Sequence, residues 1–485
     1  MQKTKTEEMT KKRVLFIRTD FLGKSEFRHP LHFTPPLMLK SAENLLRSGG
    51  GYETRLIDCS VERASVDAVV REVVSFAPDA VVISFSTYNA QKAWDLASEL
   101  KKRDNMVLTI AVGHGATSRY TEYLTKESPF DIVLRGEAGK EIVRTIHKLS
   151  DFKSPAESRE YLRSRGETGE TFAHKDLDEF LFPEYSSDEL KKYQFIYPVR
   201  LNKRVVSGYI LSSCGCVHSC IFCTQTVRKS YTKEIRCQPA SRVVDEICRQ
   251  KEIGANFIFF LDDNFSSSRE HVISVCDEII SRGVDIAWSA SARVDELDSS
   301  LLKRMAEAGC TLLLLSVESG LERIIKMLNK TEHSHEWAAK AKEVFAACRE
   351  SGIGTCALFM VGCPTETRDD IAHSIELAHS LNPDFIKVHS FTPYPGTVFY
   401  ERNRDKIQVE LLDRMHHYLP PLINFSGMDM KLLRSSQRYF YRSFLSRPRY
   451  IIGHLRRYFL FYMNNPATAV KLFSSALRMM WPNGK

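Results

Sequence analysis

The stretch LSSCGCVHSCIFC, residues 211–223, sets Cys216, Cys220 and Cys223 in a CxxxCxxC spacing directly behind the apolar run VVSGYI. Three thiolates on one tight loop can each take one iron of a cubane and leave the fourth iron open to an exchangeable ligand. A structural zinc ion asks for a fourth protein ligand. His218 and Cys214 are close in sequence, but no second Cys or His pair follows at ribbon or finger spacing. Buried, inert thiols are the third reading, and the one that suits most of the other nine of the twelve cysteines.

Working downstream, short apolar runs alternate with helical patterns. VVSGYILSS, NFIFFLDD, DIAWSASA, TLLLLSVE, IGTCALFMVG and DFIKVHSF are strand candidates, and 240–253, 268–282, 299–308, 334–351 and 367–381 are helix candidates. Six strand–helix units in succession predict a partial (β/α)6 barrel over 205–404, with reactive groups at the strand C-termini. Upstream, 13–148 follow the same rhythm. RVLFI, TRLID, AVVISF, LTIAVG and DIVLRG are uninterrupted apolar runs, as in strands covered on both faces, and 61–76 and 90–103 are amphipathic. They predict an α/β, doubly wound (Rossmann-like) domain with its ligand crevice outside the strand C-termini. Residues 1–12 read as a tail, the polar 149–204 as a linker, and 405–485 as a helical C-terminal region rich in Arg and Tyr.

The barrel segments resemble the radical S-adenosylmethionine (SAM) superfamily. Besides the cysteine loop, with its aromatic Phe222, these are FLDDNF (260–265), SARVDELDSSLLKRMAEAGC (291–310), LSVESGLERIIKMLNKT (315–331) and FMVGCPTETRDDI (359–371). The resemblance implies a [4Fe-4S] cluster on Cys216, Cys220 and Cys223, with Cys214 outside the ligand set. It also implies cleavage of SAM to a 5′-deoxyadenosyl radical, an electron donor such as flavodoxin or ferredoxin, and SAM contacts from Phe222, Asp263, Arg293 and Glu318. A carboxylate suits an ammonium or ribose hydroxyls, and a guanidinium suits a carboxylate. The structural alternatives are Asp262 and Asp263 as caps of the helix from 268, and an Arg293–Glu318 ion pair. Gly362, Pro364 and Thr367 read as a turn into a helix, either against adenine or simply as a helix start.

The first domain, through PPLMLKSAENL (35–45), PDAVVISFSTYN (78–89), VGHGATSRY (112–120) and DIVLRGEAGKEI (131–142), resembles the cobalamin-binding domain fused to many radical SAM enzymes. It lacks an Asp-x-His-x-x-Gly signature, so His114 is not assigned to cobalt. The resemblance implies cobalamin held near Ser84, Thr87, Gly113 and Glu137, with Gly113 and Gly115 permitting close backbone approach.

Together these resemblances imply a cobalamin-dependent methyltransferase acting on an unactivated carbon, or less often phosphorus, of a small-molecule or lipid-like substrate. Cyclisation or oxidative rearrangement is the runner-up, and tRNA modification and a non-enzymatic sensor are further alternatives. The 43% hydrophobic and 26% charged composition excludes a disordered chain. The formal charge of +8 is spread along the chain, with Lys/Arg density rising beyond residue 430, and no basic run interleaves stacking aromatics, which argues against nucleic acid. The charged start MQKTKTEEMTKKR and the lack of a long uncharged apolar run predict a cytoplasmic protein. The basic, aromatic tail could lie on a membrane or pack its aromatic face on the barrel, and Tyr439, Tyr441, Arg442, His416 and His417 are candidates either for a substrate wall or for packing.

Overall fold

The computed structural model describes residues 11–19, 34–62, 64–149, 180–193, 203–224 and 234–480, with scattered positions between 151 and 201. The expected tail before residue 11 and the polar stretch 158–170 of the expected linker lie outside the described residues. Two compact units emerge: one contains the N-terminal strand and Pro35–Lys175, the other Tyr185–Lys485.

In the first unit, strands β1 (Lys12–Arg18), β2 (Tyr52–Asp58), β3 (Ala80–Ser84), β4 (Leu108–Val112) and β5 (Ile132–Val133) form a parallel sheet in the order β2-β1-β3-β4-β5. Alternate residues of one strand feed opposite cores. Val81 and Ile83 pack with helices α2 (Val66–Phe76) and α3 (Ala90–Arg103), and Val82 with α1 (Leu37–Ser48) and a later helix, Gly139–Leu149. That two-sided burial is why β1, β3 and β4 carry no polar alternation, whereas β2, at the sheet edge, exposes Glu53 and Arg55. The helix expected over 61–76 starts only at Val66, where the Ser65 side chain accepts the Ala68 N–H. Only Ile132–Val133 of the DIVLRG run pairs with β4. Strand order reverses between β1 and β3, and there the Thr19 N–H donates to the Ser84 carbonyl at 3.0 Å. A crevice at such a reversal is where doubly wound sheets take ligands.

The second unit holds six parallel strands in strict sequence order: β6 (Ser207–Ile210), β7 (Phe257–Phe260), β8 (Ala287–Arg293), β9 (Cys310–Glu318), β10 (Gly354–Val361) and β11 (Phe385–Ser390). The segment expected to be linker is, from Tyr185 on, part of this unit. Phe195 lies 4.9 Å, ring to ring, from both Phe257 and Phe259, and Tyr197 lies 5.5 Å from Phe385. In a flat sheet β7 and β11 would stand about 19 Å apart. Two aromatic residues spaced two apart in sequence reach both strands, so the sheet curls into the open barrel that the strand–helix rhythm predicts. Three helices, Met430–Leu445, Pro448–Asn464 and Pro466–Met480, complete the C-terminal region.

Candidate active site

The cysteine loop is held by the strands beside it. At the end of β7 the buried Asp262 carboxylate accepts the Ser212 N–H (2.8 Å) and the hydroxyls of Ser212 (2.7 Å) and Ser213 (2.6 Å). Burial pushes its pKa up to about 6, against the lowering effect of those hydrogen bonds. Asp263 accepts the Gly215 N–H at 2.9 Å. Neither aspartate caps the following helix (Arg269–Ser281), whose cap is the Ser268 side chain. Gly215 has φ +108, and a Cβ there would stand 2.7 Å from the Glu234 carbonyl. The turn that launches the loop thus requires glycine. Cys214 is buried in a two-residue ladder with Arg236, which sets it apart from the downstream triad.

Beyond that turn, each step of the loop is tied to a different element. His218 Nε2 meets Glu296 Oε1 at 2.6 Å, the Asn329 amide donates to the Ser219 carbonyl at 2.9 Å, and the Ile221 N–H donates to the Leu328 carbonyl at 3.1 Å. Burial alone would raise the Glu296 carboxyl, but hydrogen bonds from His218, Ser266 and Asn264 outweigh it and hold the group below its ordinary range. Arg293 Nη1 points at Cys220 Sγ (3.5 Å), and the Asn264 amide lies 4.0 Å from Cys216 Sγ. A guanidinium and an amide thus stand as second-layer donors to two of the three sulfurs. No three His, Cys, Asp or Glu side chains among the described residues converge on a single ion. Three cysteines on one pinned loop are a donor set that suits a cubane, which takes each thiolate on its own iron.

Arg293 and Glu318 do not pair with each other. Arg293 forks onto Asp295 (2.9 and 2.7 Å) and donates to the Lys330 carbonyl (2.6 Å). Glu318, at φ +65 on the end of β9, receives the Lys330 ammonium at 2.8 Å. Lys330 Nζ also lies 6.0 Å from the Phe222 ring centroid. Lys330 therefore links three residues singled out from sequence, yet the sequence reading passed over it. Glu366, another residue the reading missed, is fully buried just beyond β10 and accepts the Gly362 (2.6 Å) and Cys363 (3.2 Å) N–H groups. Burial pushes its pKa up to about 8. Thr367 caps the next helix in a capping box with Asp370. Of the C-terminal candidates, Tyr441 is buried and its hydroxyl accepts the Val388 N–H (2.7 Å), a packing role, while Tyr439 is half exposed.

In the first unit, Ser84, Thr87 and Gly113 meet at the C-terminal edge of β3 and β4. The Thr87 hydroxyl lies 3.4 Å from His114 Nδ1. Gly113, at φ +96, would bring a Cβ to 2.9 Å from the Phe85 carbonyl, and one on Gly115 would stand 2.6 Å from the Phe85 ring. Both glycines are thus demanded by packing on Phe85. Thr117, unremarked in the sequence, donates to the Gly113 carbonyl (2.8 Å) and accepts the Gly136 N–H (2.9 Å), and the neighbouring Glu137 is buried. Small hydroxyls and glycines at a strand reversal, with one buried carboxylate beside them, suit a bulky macrocycle fringed with amides.

Comparison with known proteins agrees with both units. The radical SAM superfamily profile matches residues 210–378 and the B12 binding domain profile matches 28–144. The chain is 27% identical to an uncharacterized methyltransferase of Pyrococcus horikoshii, over 86% of this chain and 89% of that protein. It is 25% identical to an anaerobic magnesium-protoporphyrin IX monomethyl ester cyclase of Rubrivivax gelatinosus, over 92% and 82%. The fold matches that of the radical S-adenosylmethionine methyltransferase TsrM from Kitasatospora setae, with TM-score 0.62 and 16% identity over 81% of this chain and 76% of that one.

Proposed function

We propose that this chain, in which a B12 binding domain match is followed by a radical SAM superfamily match, transfers a methyl group to an unactivated carbon of a small-molecule or lipid-like substrate. The observation that carries the reading is one chain joining a thiol triad fixed by Asp263 and Arg293 to a B12-type sheet. When bound, the cluster and cobalamin supply one electron to the SAM sulfonium and a carrier for the methyl group. Such a carrier is needed because a saturated carbon is too poor a nucleophile to attack SAM.

In this reading Cys216, Cys220 and Cys223 hold the cluster. Asp263 fixes the turn before them. Arg293, its fork already engaged by Asp295, is a positioning residue that presents positive charge to Cys220. The buried Glu318–Lys330 pair offers opposite charges to the zwitterionic end of SAM, beside Phe222. Ser84, Thr87, Gly113 and Glu137 border the cobalamin crevice. A flavodoxin or ferredoxin donates the electron. The similarity to the cyclase supports a second reading, oxidative ring closure.

Anaerobic reconstitution with cobalamin and methyl-deuterated SAM separates the two. Methyl transfer places the label in the product and consumes two SAM per turnover. Ring closure yields deoxyadenosine with no labelled product, and that outcome would overturn the primary reading.

A further inference from the structure

The last acidic residue of the chain is Asp429. From Met430 to Lys485 there are three lysines and eight arginines with no Asp or Glu, a charge of +11. The whole chain carries +8, so residues 1–429 are net −3. The basic excess of the protein therefore lies in residues 430–485.

The same helices carry an unusual amount of exposed hydrocarbon. On Pro448–Asn464, Ile452, Phe459 and Met463 are 61%, 60% and 66% exposed, and they recur at the spacing of one helix face. On Pro466–Met480, Val470, Phe473 and Leu477 repeat the pattern at 69%, 46% and 57%. Arg449 and Arg456, seven residues apart, flank the first stripe, and Lys471 and Arg478 run beside the second. Among the described residues, none of these four forms an ion pair. Long basic side chains beside an apolar stripe can lay their stems along hydrocarbon and lift their charges to the headgroups. Between these helices and β11 lies a cavity of about 310 Å³. It is walled both by exposed residues, among them Leu455 and Phe473, and by the buried Tyr197 and Phe385, so the apolar face continues inward. No described helix is long and apolar enough to cross a membrane.

We propose that these two helices dock the enzyme on the surface of an anionic lipid bilayer. Charge complementarity selects that occupant: a cationic, acid-free surface suits anionic headgroups, and an aliphatic face with an apolar cavity suits acyl chains. A nucleic acid would call for planar stacking groups, where this face is mainly Ile, Leu, Val and Met. A second copy of the same surface would set the unpaired Arg449, Arg456, Lys471 and Arg478 against their like.

The test is co-sedimentation of the full chain with vesicles of phosphatidylglycerol and phosphatidylcholine, compared with phosphatidylcholine alone. Binding is expected only to the anionic vesicles and should weaken with salt. Arg449→Gln with Arg456→Gln should weaken it about 25-fold, from about fivefold per charge near the surface. Phe459→Ser with Met463→Ser, both at exposed positions, should weaken it while circular dichroism stays unchanged. Failure to bind anionic vesicles would overturn the proposal. So would binding indifferent to both double variants, a salt-sensitive tRNA shift without vesicle binding, or a dimer that the serine variant dissolves without vesicle binding.

Discussion

The two parallel sheets solve the problem of hosting a large cofactor differently. In the first unit the strand order reverses beside β1; Ser84, Thr87 and Gly113 at that end are small and neutral, and the charge at the neighbouring strand ends is an Arg18–Asp58 ion pair closed on itself. In the second unit the order never reverses, and the strand ends carry buried charge: Asp262, Arg293, Glu318 and Glu366. A reversal opens a crevice through topology alone, so the residues need only stay small. A monotonic, curled sheet has no such gap, and its site must be assembled by loops pinned with charged hydrogen bonds. The first arrangement fits a bulky macrocycle. The second fits sulfur ligands and a zwitterion.

The contrast is sharpened most by the cysteines. Cys220→Ala should abolish reductive SAM cleavage, whereas Cys214→Ala, removing a thiol buried in a strand ladder, should leave it intact. Deoxyadenosine measured by mass spectrometry decides, and equal loss in both variants would break the assignment of the triad. A smaller effect is expected in the first unit. Gly113→Ala forces a side chain into φ +96 against the Phe85 carbonyl. It should cost about 1–3 kcal/mol in that unit and weaken cobalamin retention while cluster absorbance persists. Loss of the cluster as well would show that the two units are not independent.

The smallest effect is a pH dependence confined to the second unit. Glu366 has its pKa raised to about 8 by burial, so the folded chain holds a proton that the unfolded chain has released. Its contribution is complete below the ordinary carboxyl range and is lost as pH rises through about 8. From pH 7 to 8 stability should fall by less than about 1.4 kcal/mol, and Glu366→Gln should flatten that slope in urea unfolding. A wild-type slope of the opposite sign would place a charged carboxylate there.

Legibility followed sequence distance. Strands such as β1, β3 and β4 were readable because two-sided burial demands unbroken apolar runs, and the CxxxCxxC spacing because it lies on one loop. Lys330 escaped notice because its partners Glu318 and Arg293 come from two different strand ends, and nothing near position 330 marks it. Thr117 is likewise defined only by Gly113 and Gly136. The reading of 149–204 as linker failed from Tyr185 on. A polar stretch masked Phe195 and Tyr197, whose aromatic partners on β7 and β11 lie about 60 and 190 residues downstream.

The sequence by itself determined the two α/β units, the cysteine spacing and the acid-free C-terminal stretch, since each depends on local periodicity or composition. Tertiary structure alone decided that Cys220 faces Arg293, that Lys330 joins Glu318 to the Arg293 cluster, and that hydrocarbon and positive charge share one C-terminal surface. Those outcomes depend on which distant groups burial brings within reach, because inside a low-dielectric core a charge is tolerated only where the fold delivers its partner.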